Sequence, residues 1–388
     1  MSLIPLRSLT SGLTRLLSSL NPYQASPSLP ALPTQNIETS SSKTARTLNH
    51  LLKANHHAHN IIQHGAPNHL PLLLTSSYLL GATSEQLSAL YDDSLDGLQH
   101  WVESTEQLVE GDWETQLGRP GHERAFVDFF EDRLAATGYE WREMVGEVLF
   151  EKASGRPLGY ALLGDGGASA VSLAAAFEVG SQVLGIEALG LAACGWDALA
   201  RVGEEEHEHE HEHEHETVEG QTGDLEVVLG RARADQRLER YEGRSVEQLL
   251  QDAEARKLVL DYGKSWSIGD LKKAFEDGQR AATERLFASA GFEVSSSQVL
   301  SASHAVRVLL PIIPVDWHIR LLRQWWLLFL STYIVLGRPE FDSKRITNFA
   351  LNGRDWRSVT DRALRSKWST DAQFVKSESI KAVLCDSC

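Results

Sequence analysis

Residues 168–201 read ASAVSLAAAFEVGSQVLGIEALGLAACGWDALAR. Alanine and leucine dominate, and Glu178 and Glu187 are the only acids before Asp197. A helix that is apolar nearly all round has no face to offer water and belongs at the centre of a protein. The stretch therefore predicts a buried central helix from Ala168 to Arg201.

Outward from it the chain keeps a helical period. Upstream, Lys43 to Lys53 reads as a helix with Leu48, Leu51 and Leu52 on one side. Asn68 is a natural N-cap, with His69 first in the helix, Pro71 tolerated in its first turn and Gly81 as its stop. Thr83 and Gln86 form a capping box that starts a helix through Leu98, and His122 to Thr137 buries Phe126, Phe129, Phe130 and Leu134. Downstream, helices are expected over Ser245–Leu258, Ser267–Ala290, Ser295–Leu310, Trp317–Leu336 and Trp356–Lys367, with Asp371–Val383 continuing the last. No strand-turn-helix alternation is visible. The fold expected is all-α: a single multi-helix, bundle-like body over residues 43–384, after a leader at 1–42 and before a tail at 385–388.

The tract 204–216 is low complexity, three glutamates followed by alternating His and Glu. Its five histidines could hold divalent metals loosely, but strict alternation has no fixed geometry, and dense like charge favours a solvated loop. Residues 204–220 are taken as an insertion within one fold. Of the formal charge of -16 on 388 residues, eight units come from these glutamates, leaving -8. A mildly acidic body with no basic stripe argues against a nucleic-acid partner. Three cysteines make no disulfide framework, which fits a reducing, cytoplasmic setting. Cys194 reads as a core residue, and Cys385-x-x-Cys388 as either a redox or metal pair or a frayed tail. The first 37 residues lack Asp and Glu, as a mitochondrial presequence would, while their prolines favour a disordered leader. The best membrane candidate, Trp317–Leu336, has an uncharged part of only Gln324 to Leu336, shorter than the roughly 18–20 residues a span needs. It reads as a buried helix.

Six histidines fall in twenty residues: His50, His56, His57, His59, His64 and His69. Neutral imidazole is the commonest transition-metal ligand and exchanges protons near neutral pH. His59, His64 and His69 recur every five residues, which is no helical pair, yet a turn at Gly65 could gather them. His304 and His318 are further candidates; the bland alternative is that these rings cap helices or satisfy the core. No G-x-G-x-x-G follows a strand, and no Walker motif, H-E-x-x-H or G-x-S-x-G occurs.

Asn55-His56, Asn68-His69 and Tyr78-Leu79-Leu80-Gly81-Ala82 resemble the N-terminal signature of the questin oxidase-like proteins. Leu117-Gly118-Arg119, the run Ala175-Ala176-Phe177-Glu178 with Glu187-Ala188-Leu189, and Ser303-His304 through Pro311 are similar to later parts of that family, as are Arg338-Pro339 and Asp371 to Lys376. The resemblance covers about residues 48 to 383. It implies a fungal oxidoreductase that oxygenates or opens the ring of a small aromatic polyketide by Baeyer–Villiger-type chemistry with NADPH. It also implies a histidine site for a metal such as iron, or for proton transfer. Carried over here, His59 (or His57), His69, His304 and Lys376 would be catalytic, with His59, His69 and His304 as metal ligands. Arg307 and Arg338 would hold a phenolate or a cofactor phosphate, and Trp325, Trp326 and Tyr333 would line a flat aromatic pocket. The family pattern would put further histidines near Leu72 and Leu73, at the ends of Ala168–Ser172, near Gln298 and near Gln373. Those differences leave an alternative, a degenerate relative that binds a polyketide or a partner protein without turnover.

Overall fold

A computed structural model describes residue 32 and residues 34–104, 106–151, 156–210, 220–288, 294–340, 348, 353 and 355–385. Among them the chain is all-α apart from one antiparallel pair of two-residue strands. The histidine-rich stretch is helical for longer than its sequence suggests. α1 (Lys43–Ala58) carries Leu48, Leu51 and Leu52 inward and continues through Asn55 and His56, both buried. A hairpin follows, β1 (Ile62–Gln63) against β2 (Ala66–Pro67), turned by His64 and Gly65 at φ 52° and 83°. A two-residue turn with both residues at positive φ matches the twist of the strands it joins. α2 (Leu70–Leu79) starts one residue later than expected. Asn68 Oδ1 accepts the Leu70 N–H at 3.0 Å, while its Nδ2 donates to Asn55 Oδ1 at 3.1 Å, so the cap is tied to α1. α3 (Ser84–Ser94) has the expected capping box, Thr83 with Gln86.

α4 (Glu123–Ala136) and α5 (Trp141–Phe150) lead to the centre. There the expected single rod is broken into α6 (Ala168–Val179), α7 (Gln182–Cys194) and α8 (Ala198–Glu210). Gly180 takes φ +66°, and Ser181 Oγ accepts the Leu184 N–H at 3.5 Å to start the next helix. α6 and α7 therefore pack back on each other as the hairpin at the core. An apolar period gives no hint of direction, so a Gly-Ser pair within it was the only local sign of the turn. Glu204 to Glu210 extend α8 rather than forming loop, and residues 211–219 lie outside the described residues.

The second half adds α9 (Leu225–Ala234), α10 (Val246–Gln251), α11 (Ala253–Ser265), α12 (Leu271–Ala288) and α13 (Val294–Leu309), which lies against α6. α10 and α11 replace one expected helix because Asp252 caps the second, accepting from the Glu254 and Ala255 N–H groups. α14 (His318–Val335) is buried along most of its length and ends at Gly337, as expected. α15 (Trp356–Arg365) precedes α16 (Ala372–Cys385), which packs on α2 and α13. No single helix among the described residues is long and apolar enough to cross a membrane. Most of the expected leader lies outside the described residues, but Gln35 and Ile37 donate backbone N–H groups to the Glu178 and Val179 carbonyls at 2.7 and 2.8 Å. Cys388 also lies outside them.

Gly180 is where this strand-like segment meets the central hairpin. A Cβ there would stand 2.9 Å from the Gln35 carbonyl oxygen, whereas one on Gly138, at a matching φ of +69°, would meet nothing within 4 Å. Both Gly→Ala changes strain the backbone by about 1 kcal/mol. Gly180→Ala must also displace residues 35–36, so chemical denaturation is expected to show it costing about 2 kcal/mol more than Gly138→Ala. Equal costs would mean that the segment does not pack there.

Candidate functional site

The start of α2, the first half of α6, α7, α13 and α16 converge on one cleft. Asn68, His69 and Leu72 line it from α2; Ala168, Val171 and Ser172 from α6; Glu187 from α7; Gln298 and Ser301 from α13; Gln373 from α16. Its interior is narrow, about 50 Å³, and with the open mouth included the space is about 680 Å³. The Ser301 hydroxyl and Gln373 Oε1 are buried without a hydrogen-bond partner.

Glu187 is buried within an apolar helix, and an unpaired carboxylate there would cost several kcal/mol. It is matched by His56, which comes from α1. His56 Nδ1 lies 3.0 Å from Glu187 Oε1, and Nε2 lies 3.0 Å from Glu131 Oε1 on α4. Burial works against a charge on His56, but the hydrogen bonds to Glu131 and Glu187 outweigh it and raise its pKa to about 9. At neutral pH His56 is thus an imidazolium donating both N–H groups, one of them to Glu187 at the wall of the cleft. His69 lines the same cleft, and burial lowers its pKa against the opposing pull of Asp371, so its ring is neutral.

A second buried cluster stands behind, on α6, α13 and α16. His304 Nε2 is 2.8 Å from Glu178 Oε1, and Lys376 Nζ is 3.5 Å from Glu178 Oε2. Burial pushes Glu178 up, but Lys376 and His304 outweigh it and hold the carboxyl down at about 2. Burial lowers His304, and Lys376 and Arg307 add repulsion that Glu178 does not offset. The coherent assignment is a Lys376 ammonium and a Glu178 carboxylate, with neutral His304 donating Nε2–H and keeping a buried, unpartnered Nδ1.

Of the four side chains expected to be catalytic, only His69 lines the cleft; His304 and Lys376 are packed behind it. His59 is elsewhere, its ring stacked on His100 with centroids 5.0 Å apart. The turn at His64-Gly65 does not gather His59, His64 and His69: His64 is left exposed, because the turn pairs backbone groups and points the imidazole to solvent. Among the described residues no group of three or more His, Cys, Asp or Glu is placed to hold a metal. The expected set His59, His69 and His304 therefore does not fit one. Arg307 and Arg338 do not form a phosphate clamp either. Both are buried, Arg307 bears on His304, and Arg338 donates Nη1–H to the Asp235 carbonyl at 2.7 Å. Trp325 and Trp326 are core residues, while Tyr333 lines a separate cavity with Arg285. Sequence reading missed Glu187 and Glu131 and passed over His56. The available signal was the isolation of Glu178 and Glu187 in an apolar run, since such carboxylates must find partners.

The raised pKa of His56 has a consequence for stability. Its proton is bound more tightly in the folded chain than in the unfolded one, where an ordinary histidine titrates near about 6.5. The stabilisation is complete below that value and is lost as pH rises through about 9. It amounts to on the order of 3 kcal/mol. Denaturation of the natural chain and of His56→Gln at about pH 6 and about pH 9.5 should show the natural chain losing more stability by that order. Parallel losses would mean that His56 is not charged in the fold.

Of the positions where the resemblance would put further histidines, Leu72, Ala168, Ser172, Gln298 and Gln373, spread over most of the chain, line this cleft, while Leu73 is buried in the core. A family described as questin oxidase-like matches residues 66–378, which include every cleft residue but Ile61. Over 128 residues the chain is 31% identical to a Baeyer–Villiger oxidase, mdpL, of Emericella nidulans; this stretch covers 31% of the chain and 28% of the relative. The comparison thus spans less than a third of that relative's length. With the family match running from β2 into α16, through the helices that build the cleft, the chain belongs to the questin oxidase-like family.

Proposed function

We propose that the protein is an oxidoreductase that oxygenates or opens the ring of an aromatic polyketide, with Glu187 and His69 as its proton-transfer groups. Glu187, hydrogen-bonded by the charged His56 at the wall of a cleft that also carries a neutral His69, is what supports this. A phenolic ring becomes reactive toward dioxygen when its proton leaves, because the phenolate places charge on ring carbons. Glu187 is set to accept that proton, and His69 to receive or return one as the oxygenated ring rearranges. Inserting one atom of dioxygen leaves the other to be reduced to water, which takes two electrons; NADPH is the proposed donor. No step is assigned to a metal, since proton transfer takes the part expected of His59, His69 and His304. His304 and Lys376 act as positioning residues that hold Glu178 and so align α6 with α13 and α16. The cleft interior of about 50 Å³ is small beside the roughly 300 Å³ of a typical ligand pocket, so a flat ring enters by displacing the half-buried Leu72, Gln298 and Gln373 at the mouth.

The test is NADPH and dioxygen consumption by the purified chain against a panel of hydroxyanthraquinones. Glu187→Gln is expected to lower kcat by about 100- to 10,000-fold. His59→Ala, away from the cleft, should stay within about threefold. Full activity in Glu187→Gln with folding intact would overturn the assignment of the site. The replacement of expected histidines by Leu72, Ala168, Gln298 and Gln373 favours one other reading, a relative that binds without turnover. Quenching of protein fluorescence by the quinones, with no NADPH consumed by the natural chain, would establish that reading instead.

A further inference from the structure

A second polar cleft lies on the far side of the long buried helix, between α8, α11 and α14. It is lined by Gly203 and Glu206, by Leu260, Gly263 and Lys264, and by α14 residues that include Arg323 and Gln324. On α14, Arg320, Arg323, Gln324 and Leu327 share one face at spacings of three and four. Trp326, beside them, completes the wall.

Its polar groups are incompletely satisfied within the fold. Gln324 is only 4% exposed, yet neither its Nε2 nor its Oε1 has a hydrogen-bond partner. Trp326 Nε1 and Arg323 Nε are also buried and unpartnered. An unmade hydrogen bond at a buried polar atom costs about 1–3 kcal/mol, and four such atoms belong to side chains that line this one cleft. Room is kept for the amide: a Cβ on Gly203 would stand 2.6 Å from Gln324 Nε2. The charges are unequal. Lys264 is paired with Glu206 at 3.0 Å, and Arg320 is 3.9 Å from the largely exposed Asp316. Against Lys264, Arg320 and Arg323, Glu206 is the one acid lining the cleft among the described residues. Three of the four unpartnered atoms are N–H donors, and Gln324 Oε1 is the acceptor.

We propose that this cleft binds a small carboxylate that carries a neighbouring hydroxyl, as a hydroxy acid does. Arg323 and the Gln324 and Trp326 N–H groups take the carboxylate oxygens, and Gln324 Oε1 accepts the hydroxyl. Arg320 supplies charge from the rim. The interior volume of about 40 Å³ matches a group of a few heavy atoms, given that one water fills roughly 10–15 Å³ on this measure. Inorganic phosphate near neutral pH also combines ionised oxygens with a hydroxyl, which makes it the competing ligand. The site is separate from the cleft that holds His69 and Glu187, so it stands whether or not that cleft is catalytic.

Titration calorimetry of the full chain with L-malate at constant ionic strength tests it, with inorganic phosphate in parallel. Saturable malate binding is expected, with Kd on the order of 1 mM or tighter. Arg323→Gln and Gln324→Leu should each weaken it by about tenfold or more. Gln324→Leu carries a second signature. Without ligand it should raise the melting temperature, because a similar-sized apolar side chain removes two unsatisfied polar atoms, and it should abolish the malate-dependent rise. Absence of malate binding, malate affinity unchanged in both variants, or binding of phosphate but not malate would each overturn the proposal. A lower melting temperature in ligand-free Gln324→Leu would do so as well, by assigning the amide a structural role.

Discussion

Glu178 and Glu187 stand nine residues apart on facing arms of a helical hairpin that is otherwise almost wholly apolar. A carboxylate in such surroundings stays ionised only when cationic or hydrogen-bonding groups compensate the loss of water. Glu187 takes His56 from α1, which in turn takes Glu131 from α4. Glu178 takes His304 from α13 and Lys376 from α16. The two acids thus set which helices surround the hairpin and in what register. Leucines and alanines can slide past one another at little cost, whereas a buried ion pair displaced by a few ångströms leaves charges unmatched.

The same constraint separates the two clusters chemically. Two carboxylates share His56 and keep it charged, so Glu187 meets the cleft as an acceptor held from behind. At Glu178 the cation is Lys376, and His304 is left neutral beside it. One arrangement presents a carboxylate to a cleft. The other closes on itself and fastens the C-terminal helix to the centre. Histidines that look alike in the sequence therefore do different work because of the groups that the fold sets beside them.

The architecture was largely legible because it rests on local physics. Thr83 with Gln86, Asn68 before Pro71, and Gly337 after α14 lie where capping rules place them. The errors came where a local pattern had two continuations. The apolar run 168–201 is equally compatible with one rod or with three helices, and the turn at Gly180 is favoured by the backbone pairing of Gln35 and Ile37 with Glu178 and Val179. The even five-residue spacing of His59, His64 and His69 suggested convergence, but a tight strand turn and a helix start send the three rings to different surroundings.

By itself the sequence determined the helical class, most helix ends, the central place of residues 168–201 and the membership signalled by its scattered motifs. These follow from side-chain period, capping and composition, which act within a few residues. The identity of the cleft was decided only by tertiary structure. Leu72, Ser172, Glu187, Gln298 and Gln373 share it although they lie far apart along the chain, and His56 acquires its charge from carboxylates 75 and 131 residues away. Proton affinity depends on burial and on the nearest charges, and neither exists until the helices have packed.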